Sequence, residues 1–256
     1  MIRFIMSFFG GIFSVLTLGV GMMALTIGAV FWMYGRDLPS HESLAQYTPP
    51  TISRIYSGEG RIIDEFAQER RLFTPADEIP DLVKQAFISA EDKNFYTHPG
   101  IDIEGIARAV LVMAQGQRMR GASTITQQVA KNFLLSNERT FDRKVKEAIL
   151  SMRIEQAYSK DKILELYLNE IYLGMGSYGI AAASLAYFDK AVNELTIEEA
   201  AYLAALPKAP ENYNPYRNAE AAKTRRDWVI GQMVQNGFIT AEEGAAAKAR
   251  PFEVNP

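Results

Sequence analysis

Between residues 4 and 34 no side chain carries a charge, and no other feature limits the fold of this chain as tightly. The run is about thirty residues long. A helix crosses a bilayer core with ~20 apolar residues, and the apolar core of a cleavable leader spans only ~7–15. Residues 1–36 therefore read as a short N-terminus followed by a retained transmembrane helix. Trp32 and Tyr34 fall where an interfacial aromatic belt would lie. Gly10, Gly11, Gly19, Gly21 and Gly28 fit either a helix-packing face or the ordinary glycine usage of a membrane helix. Arg3 precedes the run and Arg36 and Asp37 follow it, so the charge bias that orients such helices is faint.

Residues 37–50 form a polar, proline-containing linker. Residues 52–56 and 61–66 alternate like two short strands around Ser57-Gly58-Glu59-Gly60, which predicts a small β-hairpin. A pair of strands is marginal alone and must lean on a neighbour. After Pro80 the pattern is helical almost to the end. Hydrophobic residues make up 48% of the 256, enough for one sizeable core. A net charge of −3 offers no electrostatic case for nucleic acid. The chain has no cysteine and only two histidines, His41 and His98, so disulfides and a histidine-built metal centre are not expected.

Val83, Phe87, Glu91 and Phe95 recur every fourth residue, so a helix from Asp81 to about Phe95 puts an acid into an apolar row. Burial disfavours a charged carboxyl and brings its proton exchange toward neutral pH. The spacing alone fits equally a carboxyl that reaches out to water. Residues 96–120 carry an apolar run at 106–113 between glycines, the composition of a mobile lid or a membrane-touching element.

Thr124 with Gln127 makes a capping box for the next helix. On it Thr124, Gln128 and Lys131 share one face and Ile125, Val129 and Phe133 another. The polar face is either a wet surface or a donor-rich wall for phosphate and sugar oxygens. A helix over 141–158 is apolar on two sides, with Lys144, Glu147 and Ser151 along the remaining edge. Arg143 and Lys144 are spaced to pair with Glu147; on a largely buried helix such charges need a defined partner. Ser159-Lys160-Asp161-Lys162 matches the S-x-x-K of acyl-transfer enzymes, but the companion S-D-N and K-T-G are absent. Ser159 reads better as a helix cap. The sequence ahead predicts a core stripe from Ile163 to Tyr172, a glycine-rich turn at 174–179, a small-residue helix at 180–188, and helices capped by Thr196, Asn218 and Thr240.

Several blocks agree together: Glu91-Asp92-Lys93-Asn94-Phe95-Tyr96-Thr97-His98-Pro99-Gly100, Gly121-Ala122-Ser123-Thr124-Ile125-Thr126-Gln127-Gln128-Val129-Ala130-Lys131-Asn132, Arg143-Lys144-Val145-Lys146-Glu147, and the run 163–174. In order and spacing they resemble the peptidoglycan glycosyltransferase family, which forms the N-terminal half of class A penicillin-binding proteins. The resemblance covers nearly all of the chain from residue 51. It implies a mainly α, lysozyme-like helical glycosyltransferase domain over 51–250, with the small β-hairpin and one preceding transmembrane helix. Residues 251–256 would begin a truncated linker to a transpeptidase region. It also implies a bacterial inner-membrane protein with a cytoplasmic N-terminus and its bulk on the periplasmic face.

The family's reaction joins lipid II units into glycan strands, so lipid II, the growing strand, the bilayer and cell-wall synthesis proteins are the implied partners. By motif position Glu91 matches the general base and Glu147 the second acid. Lys131, Arg143 and Lys144 match the diphosphate-binding cations. Asp92, His98, Ser123, Thr124, Gln127, Gln128 and Asn132 are expected to line or brace the cleft, with His98 anchoring its loop. No cofactor is required, though a divalent cation, Mg or Mn, could accompany the diphosphate. Two rivals keep the same acids: a lysozyme-like hydrolase that uses water, and a catalytically silent membrane-anchored scaffold. The basic set discriminates against the first, because a neutral leaving sugar needs no cations.

Overall fold

A computed structural model describes residues 2–36, 38–44, 53–56, 58, 62–66, 70–115, 123–135 and 140–255. The expected linker at 37–50, the hairpin turn at 57–60 and the glycine-bearing segment at 116–122 lie partly or wholly outside them. The chain is mainly α-helical, with ten α-helices among the described residues.

Helix α1 spans Ile2–Gly35. Its segment Gly10–Gly35 has a mean hydropathy of 2.0 and is long and apolar enough to cross a membrane. A Cβ at Gly10, Gly11, Gly19, Gly21 or Gly28 would meet nothing within 4 Å, so these glycines pack on none of the other described residues. The C-terminal end of α1 behaves differently. Tyr34 donates its hydroxyl to Asp142 Oδ1 at 3.0 Å, and Arg153 donates to the Gly35 carbonyl at 3.0 Å. The Arg36 guanidinium lies 4.8 Å from the centre of the Trp32 ring. Leu44, in the short 3-10 turn His41–Leu44, is buried in the core.

Strands β1 (Ser53–Tyr56) and β2 (Ile62–Phe66) pair antiparallel, with Ser53 opposite Phe66 and a register break after Ile55. Two-residue strands β3 (Arg70–Arg71) and β4 (Ser177–Tyr178) pair in parallel.

The helical body follows. Helix α2 spans Asp81–Glu91 and buries Val83, Ala86 and Phe87 against α8 (Ile197–Ala205) and α9 (Ala219–Gln235). Helix α3 spans Ile103–Ala114 and leaves Ile103, Ile106, Leu111 and Met113 exposed. Helix α4 (Ile125–Leu134) lies between α5 (Phe141–Ala157) and α6 (Lys160–Glu170). Helix α7 (Ile180–Phe188) follows the glycine turn, and α10 (Ala241–Ala249) closes the chain against α9.

Local chemistry explains most boundaries. Capping boxes open α4 at Thr124, α8 at Thr196 and α10 at Thr240. Ser159 accepts from the Lys162 amide and opens α6, as a cap should. Two expectations are corrected. Asn218 stands at the start of α9 without a side-chain cap bond. The helix carrying Glu91 stops there rather than at Phe95, because Asp92 leaves the helical region (φ −157°, ψ 75°). Phe95 is fully buried all the same, from a turn.

Candidate functional site

The stop at Glu91 builds the site. Asp92 turns inward and its Oδ2 accepts from the Ile125 amide at 3.0 Å, the first residue of α4. The same oxygen lies 2.9 Å from His98 Nε2. The Gly100 amide donates to His98 Nδ1 at 3.1 Å, which leaves the ring proton on Nε2, pointing at Asp92. Thr124 donates its hydroxyl to the Gly100 carbonyl at 2.6 Å and accepts from the Gln127 amide at 3.1 Å. Lys160 ties the His98 carbonyl to Glu155. One buried network thus locks the end of α2, the 92–100 loop and the start of α4 together. Asp92, His98 and Thr124 are buried in it, braces rather than cleft surface.

Gly100 shows how tight that lock is. Its φ of +95° suits glycine, and a Cβ there would meet the Ser151 backbone at 2.8 Å.

The cleft beside this lock has a volume of about 380 Å³. Glu91 lies in it at the end of α2, half-buried. Gln128 Nε2 donates to Glu91 Oε2 at 2.9 Å from α4. Burial pushes the Glu91 carboxyl above the ordinary carboxylate range, and the charge of Asp92 adds to it. The Gln128 bond and the charges of Arg225 and Lys131 oppose that rise without cancelling it.

Helices α4 and α5 supply one side: Ser123, Gln127 and Lys131, then Arg143, Lys144 and Glu147. The Glu147 carboxyl is only 3% exposed and carries two ion pairs, to Arg143 and, at 2.8 Å, to Lys144. Lys144 Nζ also donates to Ser123 Oγ at 2.8 Å. Burial, and then the charges of Arg143 and Lys131, lower the proton affinity of Lys144. Two cations share the one buried carboxylate of Glu147 and Lys131 lines the same cleft, which leaves an excess of positive charge, the electrostatics of an anion site. Asn132, in contrast, is exposed and is not part of the cleft lining.

Three lining residues have no counterpart in the sequence reading: Lys208, Arg225 and Trp228. They come from the α8–α9 connection and from α9, and reach the cleft because α2 packs on both helices. Arg225 stacks on Trp228, 3.8 Å from its ring centre. An aromatic one turn after an arginine was the available signal, and by itself it is a common surface pattern.

Among the described residues no three His, Cys, Asp or Glu side chains gather where they could hold a metal ion. Glu147, the carboxylate nearest the cations, is already taken by Arg143 and Lys144, so the donor set does not form a cation cage.

The family model described as Transglycosylase matches residues 59–234. Penicillin-binding protein 1A of Rickettsia felis is 51% identical over 246 residues, 94% of this chain and 31% of the relative. Penicillin-binding protein 1A of Neisseria flavescens is 52% identical over 227 residues, 88% of this chain and 28% of the relative. The chain therefore spans less than a third of the length of these relatives. A crystal structure of penicillin-binding protein 1A from Haemophilus influenzae aligns with 82% of this chain and 22% of its own, at 26% identity and a TM-score of 0.48.

Proposed function

This chain belongs to the transglycosylase family, and on that premise we propose that it is a peptidoglycan glycosyltransferase that polymerises lipid II. The observation that carries the reading is one cleft that brings the Glu91 carboxyl, pushed upward by burial, together with Lys131, Arg143 and Lys144.

The reaction needs a base for a hydroxyl proton and positive charge for a departing diphosphate. Glu91 takes the proton from the GlcNAc 4-hydroxyl of the acceptor lipid II. The freed oxygen attacks C1 of the donor's terminal MurNAc. A new C1–O bond forms as the bond from C1 to the diphosphate oxygen breaks, and undecaprenyl diphosphate leaves with that electron pair. One displacement turns an α-linkage into a β-linkage, so no covalent sugar–enzyme intermediate is required. Lys131, Arg143 and Lys144 neutralise the leaving diphosphate through charge-assisted hydrogen bonds. Ser123, Gln127 and Gln128 add neutral donors around the sugar and phosphate oxygens. Glu147 keeps Arg143 and Lys144 in place. Asp92, His98 and Thr124 hold the base-bearing helix end against α4. A Mg or Mn ion would arrive on the substrate's diphosphate rather than in a protein cage.

In this reading residues 1–36 anchor the chain in the bacterial inner membrane, with the N-terminus cytoplasmic and the domain at 51–250 on the periplasmic face. Lipid II and the growing strand are its substrates, and other cell-wall synthesis proteins its neighbours. Residues 37–50 and 251–256 act as linkers. The rival hydrolase would need no cations at the leaving group.

The test is a polymerisation assay with purified lipid II, with and without a chelator, on the wild type and Glu91→Gln. Glycan that lengthens only with the wild type supports the reading. Existing glycan that shortens supports the hydrolase, and no change in either substrate supports the scaffold.

A further inference from the structure

Arg225 is a cation that the chemistry above does not use. It lines the cleft with Glu91, and with Trp228 it also lines a second hollow of about 800 Å³ beside the start of α9. The pair forms the partition between the two. The guanidinium lies 3.8 Å from the Trp228 ring centre. Such a stack restrains a long side chain in one place while leaving its charge intact.

We propose that Arg225, held on Trp228, is a positioning residue for the base, acting on Glu91 from α9 as Lys131 does from α4. The proposal rests on the reading of Glu91 as the proton acceptor. A base that is too well buried keeps its proton, and a cation at its side returns it to work.

The groups that face Glu91 can be named. Asp92 stands beside it on its own chain, Gln128 and Lys131 on α4, Arg225 on α9 and the buried Tyr167 on α6. Arg143, Lys144 and Glu147 on α5, and Lys208 before α9, share the same cleft. Helix α8 also packs on α2, but its Glu198 and Glu199 are occupied by Arg250 and Lys190. Among the charges that favour the ionised form of Glu91, Arg225 acts more strongly than Lys131.

Carboxyl ¹³C NMR of the full chain in detergent reads the Glu91 titration directly, assigned by the resonance lost in Glu91→Gln. Arg225→Gln is expected to raise the Glu91 midpoint by roughly 0.5–1 pH unit, a proton bound about three- to tenfold more tightly. Arg225→Lys keeps the charge and should stay near the wild type. Trp228→Leu removes the stack under the guanidinium and should give an intermediate rise. On lipid II the acid limb of the kcat/KM profile should move by the same amount, which a packing defect alone would not do. An unchanged midpoint in folded Arg225→Gln overturns the proposal. An equal rise in Arg225→Lys also overturns it. Should Arg225→Gln fail to fold, the contrast between Arg225→Lys and Trp228→Leu decides by the same criteria. A wild type that makes no polymer sinks the reading of the reaction, while the titration still decides the role of Arg225.

Discussion

Gln128 Nε2 donates to Glu91 Oε2 across 2.9 Å, from the first turns of α4 to the last residue of α2. The amide opposes, without cancelling, the rise that burial imposes on this carboxyl, so the proposed base is held in position and still titrates above the ordinary carboxylate range.

That balance predicts a trade between activity and stability at Glu91. The folded chain binds this proton more tightly than the unfolded chain. Its contribution to stability is therefore complete below the ordinary carboxyl range and is lost as pH rises through the folded midpoint. Glu91→Gln keeps the shape without the charge. It should abolish polymerisation, melt above the wild type in mildly alkaline buffer, and match it near about pH 4. Calorimetry at the two pH values, beside a lipid II assay, checks all three.

Glu147 is the buried counter-charge for Arg143 and Lys144. Glu147→Gln leaves the Arg143 guanidinium, 17% exposed, without it. The expected cost is about 2–4 kcal/mol, most of it on the Arg143 side because Lys144 is half open to water. Turnover should fall together with the melting temperature, and urea unfolding measures the loss.

Asp92 serves the Ile125 amide and His98 at once. Asp92→Ala strands one buried donor on each, a loss of about 2–3 kcal/mol. Activity should drop even where the protein remains folded, because the start of α4 is no longer held against Glu91. Amide hydrogen exchange at Ile125 should quicken; unchanged protection there would contradict the bracing role.

Gly100→Ala is the sharpest backbone test. The new Cβ would sit 2.8 Å from the Ser151 backbone, at a φ of +95°. Neither neighbour is a flexible tip, so the loop or α5 has to move. A loss of more than about 2 kcal/mol is expected, read from the melting temperature.

Much of this was legible in residue order. The capping boxes at Thr124, Thr196 and Thr240 are local signals, and they open helices where the side chains demand it. Ser159 is a cap because its hydroxyl has the Lys162 amide within reach, whatever motif it imitates. The end of α2 was not legible. Phe95 continues the apolar spacing of the helix, but Asp92 gains a buried amide and an imidazole by leaving it. Ala157, by its spacing from Leu150 and Ile154 a member of one apolar face of the 141–158 helix, is exposed instead. The contribution of α9 was hidden for another reason. Arg225 and Arg226 look like a solvated basic pair, yet Arg226 is 1% exposed and is bound by Asp227 and by the carbonyl oxygens of Lys248 and Arg250. Only the packing of distant segments separates one arginine into the core and sends the other to the cleft.

The two bonds from Tyr34 and Gly35 to α5 reach the helix that carries Arg143 and Lys144. A domain on a slack tether would wander away from the bilayer and meet lipid-tailed molecules at every height. On the proposed reading, with α1 in the bilayer, these two bonds would moor α5 to the anchor and keep the mouth of the cleft at a single altitude. The encounter would then be a search in two dimensions along the membrane plane.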